Sequence, residues 1–209
     1  MDADAWDQRY AAHDLVWSRE PNQFVAAELA DLPPGTAVDL AAGEGRNAIW
    51  LASRGWTAYA VDFSQVALDK GAELAGAVAL PGEVTWVCAD ATTWQPPGPV
   101  DLVVMAYFQV PAEDRRRAVR SAVAMLRPGG TLLLVAHDST NLAEGTGGPQ
   151  DPAVLMSAED VLADLADLAG IEVHVVRAER VARDVGSTDE HGGVERRTAW
   201  DCLVRLVRA

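Results

Sequence analysis

Ten residues, VDLAAGEGRN at 38–47, constrain this chain more than any other stretch. Val38, Asp39 and Leu40 end an apolar run of the kind that forms a buried strand. Ala41, Ala42, Gly43, Glu44 and Gly45 then make a turn of small residues, and NAIWLA at 47–52 reads as a helix. A Cβ at Gly43 or Gly45 would block close approach of the backbone to a ligand. Strand, small-residue turn and helix N-terminus together are how open α/β sheets hold nucleotide-like ligands. The spacing is not that of the dinucleotide fingerprint, which runs G-x-G-x-x-G. Ala41 takes its first position, Gly43 and Gly45 follow two apart, and Ala48 stands beyond. Asp39, just before the turn, would repel a pyrophosphate and suit a cationic ligand.

Around this turn, apolar runs alternate with helical patterns, which predicts a parallel sheet covered on both faces. Strands are expected at 37–40, 58–61, 84–87, 102–105 and 131–136. Helices are expected at 47–53, 65–74, 113–126 and 158–168. Ser157 and Asp160 form a capping-box variant ahead of the last of these. Arg127, Pro128, Gly129 and Gly130 should stop the preceding helix and open strand five. The final third differs. Segments 172–181 and 198–207 both read as strands, and the polar stretch 183–197 between them carries Gly186, Gly192 and Gly193. Two strands linked directly are antiparallel neighbours. The expected fold is a doubly wound three-layer α/β sandwich: a seven-stranded, mostly parallel sheet with a reversed last strand. One domain, 1–209, is expected, with an N-terminal helical lid over 1–30 bearing Trp6, Tyr10, Trp17 and Phe24. A long loop at 138–156 should lie on the ligand side.

Composition narrows the function classes. A chain of 209 residues suits one well-cored α/β domain. A net charge of −14 disfavours nucleic acid and anionic membranes as partners. The run Arg115, Arg116, Arg117 is read as a solvated helix face. No apolar run is long enough for a bilayer span, and the acidic start MDADAWDQRY does not have the pattern of a signal or transit peptide. Cys88 and Cys202 lie in strand-like runs and read as buried hydrophobes, with no metal framework. A cytoplasmic location is expected; the oligomeric state is not legible.

Asp62 in AVDFS and Asp90 in CADAT end strands two and three, so three acidic strand ends (Asp39, Asp62, Asp90) stand in register. An acid after strand two can accept from both ribose hydroxyls. Its competing role is a helix cap, which Ser64 fills better. Asp90 has a turn role as its competitor. S-adenosylmethionine suits such a site, having an ammonium, a sulfonium and no phosphate. The D-x-A-x-G-x-G pattern resembles motif I of the class I S-adenosylmethionine-dependent methyltransferases. With Arg46, Asn47, LASRGW and AVDFS added, the chain resembles their tellurite-resistance and thiopurine methyltransferase-like branch over nearly its whole length. It departs at Ala41, often Gly there, and at Ala42, often Cys. The resemblance implies Asp39, Ala41 and Gly43 near the methionine end, and Asp62 and Phe63 at the ribose. It implies Asp90 and Ala91 at the adenine, and Arg46, with Asn47 beside it, near the cofactor carboxylate or the lid.

The acceptor side is read from AYFQVP after strand four. An Asn/Asp-Pro-Pro-aromatic sequence, which marks amino-methylation of DNA bases, is absent there. Ala106, Tyr107 and Phe108 should line the cavity beside the reactive methyl. His137 and Asp138, with Asn141 beyond, follow strand five. His191, Arg196 and Arg197 lie toward the last hairpin, and His13 lies in the lid. The candidate catalytic residues are His137, Tyr107 and Arg197, each with a structural role as its alternative. The function expected is methyl transfer to a small molecule. Two alternatives stay open: a non-catalytic cofactor sensor, and a nicotinamide-dependent reductase. The reductase would want a Tyr-x-x-x-Lys pair, but Tyr10, Tyr59 and Tyr107 are followed by Asp14, Phe63 and Pro111.

Overall fold

The computed structural model describes residues 3–166, 168, 170–188 and 194–209. Among these residues, seven strands form one sheet: β1 (Thr36–Leu40), β2 (Thr57–Asp62), β3 (Glu83–Cys88), β4 (Val100–Ala106), β5 (Leu126–His137), β6 (Val173–Thr188) and β7 (Val194–Arg208). Their order is β3-β2-β1-β4-β5-β7-β6. The first five are parallel, and β7 runs antiparallel to both β5 and β6. Among the described residues, seven α-helices cover the sheet and its strand ends: α1 (Ala3–Ala11), α2 (Gln23–Leu29), α3 (Arg46–Ser53), α4 (Gln65–Gly76), α5 (Ala112–Met125), α6 (Asn141–Glu144) and α7 (Ala158–Asp164). The expected doubly wound fold with a reversed last strand is the one observed.

Central strands are buried on both faces, so alternate residues feed two cores. Val103, Met105, Leu132 and Leu134 pack with Val119 of α5 and Val161 of α7. Leu102, Val104, Leu133 and Val135 pack on the other face with Leu29 of α2 and Leu51 of α3. The strand order reverses between β1 and β4, and the crevice beyond their carboxyl ends is where such sheets bind ligands.

Several expectations change. Strand β5 starts at Leu126, not at 131. Its ladder passes from the pair Val100–Leu126 directly to Leu102–Thr131, so 127–130 bulge out, with Gly129 at φ +79°. Helix α7 ends at Asp164 rather than 168. Much of the polar stretch 183–197 is strand, because β6 continues to Thr188 and β7 begins at Val194. Backbone pairing carries that extension where the side chains show no apolar alternation. His191 lies outside the described residues. Cys202 is buried, but Cys88 is exposed, since β3 is an edge strand with an open face. Arg115 is not solvated: it is buried and its Nε lies 2.6 Å from Asp164 Oδ2. The capping box at Ser157 and Asp160 forms as expected. No helix among the described residues is long and apolar enough to cross a membrane.

Candidate active site

The turn after β1 is tightly wound. Ala41, Gly43 and Gly45 all take positive φ, at +57°, +56° and +72°. Such backbone is free of strain only for glycine, so Ala41 holds a strained conformation at the carboxyl end of the central strand. The two glycines are needed for different reasons. A Cβ on Gly43 would lie 2.7 Å from Tyr10 Oη, on the ligand side. A Cβ on Gly45 would lie 2.4 Å from the Trp86 ring, so there the constraint is packing rather than ligand approach. Gly45 N–H closes the turn on Ala42 O at 2.9 Å, and α3 starts at the next residue.

Asp39 and Asp62 lie beneath this turn. Asp39 Oδ2 accepts from Ala48 N–H at 3.2 Å, but its buried Oδ1 accepts no hydrogen bond. Burial raises the Asp39 pKa to about 7, against the lowering influence of Ala48 and Arg46. A cation beside it would reverse that. Asp62 accepts from Gly43 N–H and Ser64 N–H at 2.8 and 2.9 Å. Burial pushes its pKa up despite those bonds. Ser64 is the α4 cap, receiving Ala67 N–H, so Asp62 is not needed there. A carboxylate has about four acceptor sites, so Asp62 can still accept ribose hydroxyls. Asp90 Oδ1 takes Thr92 N–H and Oγ1–H, which is the turn role weighed from sequence. Asp90 also lines a cavity of about 300 Å³ with Ala41, Phe63, Ala91 and Phe108. Four residues assigned to the cofactor from sequence therefore share one cavity.

The N-terminal segment closes over the turn. Tyr10 is buried yet belongs to neither sheet core; it stacks on Trp6 and receives Trp17 Nε1–H at 3.2 Å. Burial pushes its phenol up to about 12. Glu44, which sequence reading passed over, holds this segment: it is buried and accepts from Val16 N–H and Trp17 N–H at 3.1 Å. Lys70 stands 3.9 Å from Glu44 and donates to the Tyr10 and His13 carbonyls. His13 contributes its backbone, and its side chain is exposed. Arg46 lies over the Trp17 ring at 5.8 Å and donates to Ser18 Oγ. Burial lowers the Arg46 pKa, with Tyr107 and Asp39 opposing. Asn47 Oδ1 receives Asn22 N–H at 2.9 Å. Arg46, like Asn47, thus fastens this covering segment, whatever each contributes to a ligand.

Across the crevice, four polar side chains converge. Tyr107 follows β4 at φ +59°, and its hydroxyl donates to Asp201 Oδ2 at 2.8 Å. Arg183 of β6 donates to the same oxygen through Nε at 2.6 Å. His137 Nδ1 lies 3.3 Å from Asp201 Oδ1, at an angle too oblique for a full hydrogen bond. The His137 and Tyr107 rings are 4.8 Å apart. Ala106, half-buried, ends β4 just ahead of them. Burial raises the Tyr107 pKa, and the Asp201 charge adds to this.

Asp138 and Asn141, expected on the acceptor side, hold the 138–156 loop. Asp138 accepts from Thr140 N–H and Oγ1–H. Asn141 accepts Trp200 N–H and donates to Gly147 O. The arginine bonded to Asp201 is Arg183. Arg197 is exposed on the same face of β7, four residues or about 13 Å along the strand from Asp201. Asp201 and Arg183 were missed from sequence. The one signal was an acid, Asp201, inside the otherwise apolar run AWDCLV.

A family model described as a methyltransferase domain matches residues 37–130, the span from β1 through the turn to the bulge of β5. Over that span the chain is similar to the S-adenosylmethionine-dependent methyltransferases. Thiocyanate methyltransferase 1 of Brassica oleracea is 26% identical over 75% of this chain and 70% of its own length. Trans-aconitate 2-methyltransferase of Streptomyces avermitilis is 35% identical over 61% of this chain, which spans only 49% of that protein. The N-methyltransferase NodS of Bradyrhizobium japonicum WM9, solved with S-adenosyl-L-homocysteine, has the same fold at a TM-score of 0.70 and 18% identity, over 98% of this chain and 97% of its own. These likenesses are consistent with the tellurite-resistance and thiopurine methyltransferase-like branch that the motif I region of this chain resembles.

Proposed function

We propose that this protein transfers the methyl group of S-adenosylmethionine to a small-molecule acceptor. The observation that carries the reading is Asp39: a buried carboxylate with an unbonded oxygen, facing a glycine turn beside a cavity lined by Phe63, Asp90 and Ala91. Those residues fit the cofactor. Asp39 would meet its cationic methionine end, where Ala41, Gly43 and Arg46 also lie. Asp62 and Phe63 would take the ribose, Asp90 and Ala91 the adenine, and Ala106 would flank the reacting methyl, while Asn47 holds Asn22 of the covering segment. When bound, the cofactor supplies an electrophilic methyl on a sulfonium leaving group. The protein's own work is positioning and exclusion of water. Tyr107 and His137 define the acceptor side, and Arg197 guards its outer rim. The segment over Gly43 and the 138–156 loop close both sides of the mouth, which favours a small acceptor. The acceptors named for the thiocyanate and trans-aconitate relatives are also small molecules.

Calorimetry tests the cofactor half. S-adenosylhomocysteine is expected to bind with a micromolar constant, about 8 kcal/mol, and NAD negligibly; the reverse preference would overturn the assignment. Because Asp39 titrates near 7 in the ligand-free protein, meeting the ligand's ammonium drives it to the ionised form. Binding at neutral pH should therefore release a proton, read as a binding heat that changes with the buffer. Asp39→Asn should abolish that dependence. Measuring S-adenosylhomocysteine formation against small thiols, phenols, amines, carboxylates and oxyanions tests the acceptor half; no turnover with any would favour a sensor.

The covering segment makes a separate prediction. Its aromatics lie outside both sheet cores, so removing residues 1–18 should leave a folded protein that retains S-adenosylhomocysteine at least ten-fold less well. A truncated protein without a cooperative thermal transition would show that Tyr10 and its neighbours belong to the core.

A further inference from the structure

Resting on the methyl-transfer reading, we propose that Asp201 is a positioning residue that makes His137 Nε2 a general base. The acceptor would then enter with a proton on its attacking atom, as a thiol or phenol does.

Asp201 is fully buried in β7. Burial alone would raise its pKa, but contacts from His137, Arg183 and Tyr107 outweigh it and hold the group below the usual carboxylate range. Asp201 is therefore an ionised, acceptor-only group. An imidazole nitrogen 3.3 Å from such an oxygen is favoured as N–H, not as a lone pair. A neutral ring with its proton on Nδ1 presents a lone pair at Nε2. Nε2 makes no hydrogen bond among the described residues, while the Tyr107 hydroxyl and Arg183 Nε are both engaged with Asp201. The oblique Nδ1 contact has the looseness common in ligand-free sites, where catalytic hydrogen bonds tighten on binding.

The surroundings fix the ring and leave His137 as the group able to take a proton. The Tyr107 ring packs against it at a tilt, and Gly148 of the 138–156 loop lies so close that a Cβ there would come within 2.9 Å of the ring. Gln109 Oε1 receives the His137 N–H at 2.8 Å and anchors the backbone. The charged and titratable groups facing His137 are Asp201 from β7, Arg183 from β6 and Tyr107 after β4. Asp138 follows it in the chain, already engaged with Thr140, and Arg46 stands across the crevice near Tyr107. Arg183 keeps Asp201 ionised, so Asp201 does not take the proton. Tyr107 stays protonated, so it does not take it either.

In the step, the acceptor's S–H or O–H proton passes to Nε2 while its lone pair bonds to the methyl carbon. The carbon–sulfur bond breaks with both electrons going to sulfur, which cancels the sulfonium charge. The imidazolium beside Asp201 then gives its proton to water.

The first test needs neither acceptor nor variant. Imidazole ¹⁵N shifts of the wild-type protein at mildly alkaline pH should show His137 protonated on Nδ1; protonation on Nε2 would overturn the proposal. In D201N the carboxamide can donate to Nδ1 and force the opposite tautomer. Turnover of a thiol or phenol acceptor should then fall about 10²- to 10⁴-fold, with S-adenosylhomocysteine affinity unchanged. Equal turnover in D201N and wild type would also overturn it. If D201N does not fold, the wild-type tautomer decides. Turnover should show an acid limb with a thiol or phenol, and a carboxylate acceptor that outpaces both with a flat pH profile would count against the proposal. Failure of S-adenosylhomocysteine to bind at all would instead overturn the underlying methyl-transfer reading, which the tautomer measurement does not touch.

Discussion

Asp164→Ala is expected to lower the unfolding free energy by about 3–5 kcal/mol, a large share of the 5–15 kcal/mol typical of a domain. Asp164 is 1% exposed at the end of α7, and Arg115 of α5 is 6% exposed opposite it. Their Nε–Oδ2 distance is 2.6 Å, and Asp164 Oδ1 lies 3.3 Å from Arg116 Nε. The Asp164 carbonyl accepts from Arg120 Nε at 2.6 Å. Removing the carboxylate leaves the Arg115 guanidinium buried and uncompensated, which is the costly way to break such a pair. Arg116 is the control: its side chain is 56% exposed, so Arg116→Ala should cost under about 1 kcal/mol. Urea midpoints read both. A loss below about 1 kcal/mol for Asp164→Ala would mean that Arg115 reaches solvent when its partner is gone.

Asp62→Ala should weaken S-adenosylhomocysteine binding by about 1.5–3 kcal/mol, as for hydrogen bonds to a charged acceptor. Two effects add here. The carboxylate is the expected ribose acceptor, and it already receives Gly43 N–H and Ser64 N–H, so its loss also leaves a buried turn donor unsatisfied. Asp62→Asn separates them, because the amide oxygen keeps one acceptor for the turn while the charge is lost. Near-normal binding in Asp62→Asn with weak binding in Asp62→Ala would make the turn the main contribution. Unchanged calorimetric affinity in both would remove Asp62 from the site.

The cofactor half of the proposed site is local in sequence. Asp39, Ala41, Gly43 and Gly45 lie within seven residues, and positive φ leaves a residue-type trace that can be read directly. Asp62, Asp90 and Ala91 were legible because parallel strands in register end at the same edge. The acceptor half is non-local. Tyr107 and Asp201 are 94 residues apart and Arg183 stands 18 before Asp201, so no spacing pairs them. The covering segment was visible as aromatics outside the strand pattern, but not its fastening through Glu44 and Lys70. Arg115 shows the same limit: a run of three arginines looks solvated until α7 places Asp164 against the first.

The sheet, its reversed last strand, the glycine turn and the acids along its edge are written in the order of the residues. Each follows from hydropathy period, turn chemistry or strand-end position, which act over a few residues. Folding in three dimensions is what makes Asp201 gather Tyr107, Arg183 and His137, Glu44 clamp the N-terminal segment, and Gly45 make room for Trp86. Those contacts depend on which strands become neighbours. The burial that makes an ion pair costly to break, or a carboxylate orient an imidazole, exists only once the two sheet faces are covered.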